Sequence, residues 1–98
     1  MRVKRTQEFT RWFSGLDGSL KARVLARLAK VETEGHFGQT RDLGGKVSEM
    51  KWKIALRVYY TLGVDESGEM CICLLGGDKD GQSSDIEKAK ALAKAVHG

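Results

Sequence analysis

The apolar residues of this chain change period at Gly44-Gly45, and that change constrains the fold more than any single motif. Before it, Phe9, Trp12 and Phe13 recur at i, i+3, i+4, and Leu20, Val24, Leu28 and Val31 follow at intervals of four, four and three. Both sets are stripes along helices. After it, Met50, Trp52 and Ile54 alternate with Glu49, Lys51 and Lys53, and Val58, Tyr60 and Leu62 alternate with Arg57, Tyr59 and Thr61. Alternation of this kind belongs to strands with one apolar and one polar face. A chain divided in this way is predicted to be α+β.

The local signals fill in the order. Met1 to Arg5 is short and alternating, so it reads as an initial strand with Val3 turned inward, and Thr6 is the N-cap of a first helix that stops near Gly15. Asp17 or Ser19 caps a second helix running to about Glu34, where Gly35 supplies a left-handed residue. Gly63 to Gly68 reads as a polar loop, and Met70 to Leu75 as a central strand covered on both sides. Ser84 and Glu87 form a capping box before the stripe Ile86, Ala89, Leu92, Ala93 and Val96, which makes a last helix. The expected architecture is a single small domain over residues 1–98, an antiparallel sheet with two N-terminal helices and one C-terminal helix. One sheet face takes the helices, and the other is left partly open, carrying Lys51, Lys53, Arg57 and Tyr59.

Charge is regional. Up to Arg57, thirteen cationic residues against six acidic ones leave +7, whereas beyond it four against seven leave −3. An anionic partner for the first half is the implication. Lys21, Arg23, Arg27 and Lys30 lie off the apolar stripe of the second helix, either as a solvated face or as RNA contacts. No apolar stretch has the length of a membrane span, and the basic start leads into no export signal. The two cysteines, Cys71 and Cys73, stand two apart in one strand, where they do not bridge easily, and free thiols fit a reducing cytoplasm.

Several chemistries find no support. Asp78 and Asp80 flank Lys79 in a glycine-rich loop as turn formers, and His36 and His97 have no ligand spacing to the cysteines, so neither a metal nor another cofactor is expected. Gly76-Gly77-Asp78-Lys79 lacks the terminal Lys-Ser/Thr of a phosphate-cradling loop. Lys51, Lys53 and Arg57 are different, because cations crowded on one strand face disfavour one another's charge and call for an anion.

Longer segments carry a resemblance. Arg57-Val58-Tyr59-Tyr60, Leu74-Leu75-Gly76-Gly77-Asp78-Lys79-Asp80-Gly81-Gln82 and Asp85-Ile86-Glu87-Lys88-Ala89-Lys90 resemble the C-terminal half of the HigB-like addiction-module killer proteins of the RelE/ParE toxin superfamily. Phe9, Trp12, Phe13 and Leu16, then Ala22 to Leu28, Gly35 to Gly38 and Val47 to Lys51, are similar to its earlier segments. The resemblance implies a RelE-like fold and a cytoplasmic toxin neutralised by a cognate antitoxin, a small helix-turn-helix protein. It further implies ribosome-dependent cleavage of mRNA without a metal ion. Lys51 or Lys53 would then be the base, Glu49 can orient Lys51, Arg57 holds the phosphate, and Lys79 binds phosphate or protonates the leaving oxygen. RNA contacts would come from Arg23, Arg27, Lys30, Tyr59 and Gln82. A ParE-like inhibitor of DNA gyrase and an inactive remnant that only binds its antitoxin are the alternatives. The turn before Arg57 is shorter than the family's by about two residues, and His97 reads as a solvated tail residue.

Overall fold

The computed structural model describes residues 1–98. Strand β1 (Arg2–Arg5) leads into helices α1 (Gln7–Ser14) and α2 (Gly18–Glu34). Strands β2 (Thr40–Gly44), β3 (Val47–Lys51), β4 (Leu56–Asp65) and β5 (Gly68–Asp78) follow, then a 3-10 turn (Lys79–Gly81) and helix α3 (Gln82–His97). The five strands form one sheet in the order β1-β5-β4-β3-β2.

The first two helices begin where side chains satisfy their free N–H groups. Thr6 Oγ1 accepts from the Phe9 N–H at 3.0 Å, and Asp17 Oδ1, rather than Ser19, accepts from the Leu20 N–H at 2.9 Å. Gly35, at φ 65°, ends α2 in the left-handed conformation the sequence calls for. Because α1 and α2 carry the chain from one sheet edge to the other, three reversals from β2 bring β5 back alongside β1 pointing the same way. The sheet is therefore mixed: β2 to β5 are an antiparallel meander, and β1 joins β5 in parallel.

Two cores flank the sheet. On one face Phe9, Val24, Leu28 and Val31 of the first two helices close over Met50, Val58, Cys71 and Cys73. On the other, Ala89 and Ala93 of α3 lie on Val47, Tyr59 and Leu74. The open face expected from the sequence is thus covered by α3. The pairing explains why: Tyr59 opposes Leu75 but Tyr60 opposes Cys73, so Leu74 is an extra residue and both leucines turn toward α3. Together with Tyr59 they give the α3 stripe an apolar partner that simple alternation hides.

Three boundaries also differ. β3 stops at Lys51, so Trp52 and Ile54 leave the strand, and 52–55 form a loop. Gly63 to Gly68 is mostly strand, closed by a two-residue turn at Glu66-Ser67 and tied to β1 by the Arg2–Asp65 ion pair. Helix α3 starts at Gln82 without the Ser84 capping box, because Asp78 Oδ1 already accepts from the N–H groups of Asp80, at 2.9 Å, and Gly81, at 3.1 Å.

Gly76 is required by packing. A Cβ there would lie 2.1 Å from the Trp12 ring, whereas one on Gly18 would meet nothing within 4 Å. Gly76→Ala is expected to cost about 1–3 kcal/mol by overpacking, read by denaturant unfolding, with Gly18→Ala showing no such loss. Equal stability of the two variants would contradict the packing of α1 on β5.

Candidate functional site

The site lies at the end of the sheet where the loop 52–55 meets the β5–α3 connection. Lys51 pairs across the ladder with Arg57, Arg57 with Gly77, and Leu56 with Asp78. The Lys79 N–H donates to the Ala55 carbonyl at 2.9 Å, which joins the two loops. Lys51, Lys53, Arg57 and Lys79 are therefore gathered at one end of the sheet. Unwinding β3 after Lys51 supplies the residues that a tight turn before Arg57 lacks. The cost is that Lys53 stands exposed on the loop rather than beside Lys51 on a strand face.

Arg57 is only 9% exposed. Its Nη1 donates to the carbonyls of Trp52 at 3.2 Å, Ile54 at 3.1 Å and Leu56 at 2.8 Å, and its Nε is buried without a partner. It is not a free strand-face cation: it holds the loop. Arg27 does the same from the other side, donating from Nη1 to the carbonyls of Lys51 at 3.0 Å and Phe37 at 3.4 Å, with its guanidinium 4.1 Å from the Trp52 ring centroid. Partial burial lowers its pKa. Arg27 is thus a brace rather than a projecting RNA contact, while Arg23 and Lys30 on the same helix and Lys79 on its turn are exposed.

Under the start of α3 lies a buried polar centre. Glu49 is fully buried; its Oε2 accepts from Gln82 Nε2 at 2.7 Å, and its Oε1 lies 3.2 Å from Arg41 Nη2 as an ion pair without hydrogen-bond geometry. Opposite it on β4, Tyr59 is also fully buried, its hydroxyl unpaired. Tyr59 and Gln82 therefore face the interior, against the reading that made them RNA contacts: Tyr59 lies under α3, and Gln82 ties that helix to β3. His97 is likewise engaged, with Nε2 2.8 Å from Thr61 Oγ1.

Sequence reasoning passed over Asp85. A Cβ on Gly77 would lie 2.1 Å from its Oδ2, so the carboxyl rests where a side chain would otherwise be. Burial raises its pKa, Lys88 opposes that shift and Asp78 adds to it, with no hydrogen bond contributing. The signal in the sequence was the glycine pair Gly76-Gly77, which leaves space for ring and carboxyl on opposite faces of β5.

Burial, then the charges of Glu49 and Asp85, push the Tyr59 phenol up to about 12, and burial raises Tyr60 as well. These are the two tyrosines of the chain. An unfolded phenol ionises near pH 10, so above that pH the unfolded state loses protons first. Stability present below about pH 10 should fall as pH rises toward 12. Absorbance at ~295 nm, a phenolate band set by phenol ionisation near pH 10, should show no step there while the circular dichroism is native. A full two-phenol step in the folded protein would contradict the buried centre.

No protein-family model matches the chain. An uncharacterized protein of Haemophilus influenzae is 32% identical over 99 residues, covering 98% of this chain and 96% of its own. Among solved structures, a chain of the intact E. coli RelBE toxin–antitoxin complex superposes with a TM-score of 0.63 at 11% identity, over 79% of this chain and 94% of its own. The solution structure of the conserved hypothetical protein HP0892 from Helicobacter pylori gives a TM-score of 0.49 at 16% identity, over 84% of this chain and 98% of its own. The fold is thus RelE-like, and the chain belongs to the same family as the uncharacterized Haemophilus influenzae protein.

Proposed function

We propose that this chain is the toxin of a type II toxin–antitoxin pair, acting in the cytoplasm as an mRNA endonuclease on the ribosome. The observation that carries the reading is the convergence of Lys51, Lys53, Arg57 and Lys79 at one end of a RelE-like sheet. Cleavage proceeds by attack of a 2′-hydroxyl oxygen on the adjacent phosphorus while the bond to the 5′-oxygen breaks. The chain's own groups serve each step, so no metal ion is invoked. Lys51, beside Arg57 in the ladder, takes the hydroxyl proton. Arg57, fixed by three carbonyls, presents its charge to the developing dianion, and Lys79 protonates the leaving oxygen. Lys53, Arg23 and Lys30 supply exposed charge for the RNA backbone. The cognate partner is a small helix-turn-helix antitoxin whose acidic segment covers this end.

Expression without the antitoxin is expected to arrest growth and deplete translated messages. Lys51→Ala and Lys79→Ala should each restore growth while the far-UV circular dichroism is unchanged. Normal growth at high soluble expression would contradict activity, and arrest with intact messages but altered plasmid supercoiling would point to gyrase instead.

A further inference from the structure

Beside the cation-bearing end is a cleft of about 580 Å³ between α1, the start of α2 and the two end loops. Trp12, Leu16, Leu20 and Ile54 form apolar walls, and Gly76 and Gly77 contribute bare backbone. Trp12 lies flat against Gly76, where any side chain would collide with its ring. Asp85 is the second unusual feature. Its half-buried carboxyl makes no ion pair and no hydrogen bond, although it faces a mostly apolar cleft and its burial raises its pKa.

An unpartnered acceptor in such a place gains most from a ligand that brings donors. The surroundings add a second requirement. Lys51, Lys53 and Lys79 stand on the adjoining loops and strand end, so the ligand that enters also carries negative charge outside the cleft. A flat apolar body with donors on its edge and an anionic link to its neighbours is a nucleotide within a single strand.

We propose that this cleft is a nucleobase pocket selective for guanine, with Trp12 supplying the stacking face and the Asp85 carboxylate accepting from the Watson–Crick edge. Guanine alone carries adjacent donors there, the N1–H and the exocyclic amine, which match two carboxylate oxygens. Adenine and cytosine place one amine beside a bare ring nitrogen, and uracil sets one N–H between two carbonyls. An apolar segment of an antitoxin would fill the walls but bury the carboxylate unpaired. The pocket rests on the mRNA endonuclease reading, for which it sets the base preference.

The test is binding of the four nucleoside 5′-monophosphates to the full chain, followed by the indole N–H of Trp12 and the amides of Gly76 and Gly77 in NMR spectra. Guanosine monophosphate is expected to shift these signals and to bind about tenfold more tightly than the other three. Asp85→Asn, which keeps the shape but replaces one acceptor by a donor, should abolish that preference, while Lys94→Ala on the far part of α3 should keep it. Equal binding of all four, no shift in the cleft, or an Asn variant with the preference intact would overturn the proposal. Displacement of these signals only by an antitoxin peptide would do the same. Because the titration needs neither ribosomes nor cleavage, its failure in a chain that still arrests growth would remove the pocket and leave the function. Guanosine binding in a chain without toxicity would do the reverse.

Discussion

The guanidinium of Arg57 is the contact on which the working end of this molecule depends. Its three carbonyl partners, Trp52, Ile54 and Leu56, lie in or next to a loop that has no glycine or proline to fix its course. Charge-assisted hydrogen bonds contribute about 1.5–3 kcal/mol each at most, and here one donor atom serves all three acceptors. The gain in order exceeds the gain in energy: the loop is held against β5, and Lys79 then bonds to Ala55. The same charge that shapes the loop is the one the phosphate would meet. Structure and proposed chemistry share one side chain.

Behind that end, Glu49 and Tyr59 oppose each other in the ladder beneath α3. A buried carboxylate deprived of its partner typically costs 3–5 kcal/mol, roughly a third of a small domain's stability. Gln82 and Arg41 provide those partners, one from the first residue of α3 and one from the edge strand β2. This explains how α3 is held at its start without a side-chain N-cap. It also means that the polar residues of the β3–β4 ladder form a graded series, with Glu49 and Tyr59 fully buried, Arg57 nearly so, and Lys51 half-buried at the rim.

What the sequence disclosed follows the range of the interactions. Thr6, Asp17 and Gly35 act on backbone groups within a few residues, so the ends of α1 and α2 were readable directly. The meander and the last helix were readable from periodicity. The side on which α3 lies was not, because Tyr59 can count as polar or apolar and the extra residue Leu74 breaks the alternation on β5. In the same way the cations at 51, 53, 57 and 79 could be named, and their meeting at one sheet end anticipated from the resemblance. That Arg57 and Arg27 turn inward to hold carbonyls was not legible, since their partners are defined only by a loop that the folded sheet creates.

The central claim is that this end of the sheet cuts RNA only when a ribosome presents it. Three or four cations on a 98-residue chain give modest intrinsic affinity for RNA, so substrate positioning must come from elsewhere. The decisive measurement is incubation of the purified protein with an end-labelled message, free or engaged by translating ribosomes, with products resolved by length. Discrete cuts in the engaged message and an intact free message are predicted. A message left whole on ribosomes, or free RNA cut equally well, would contradict it.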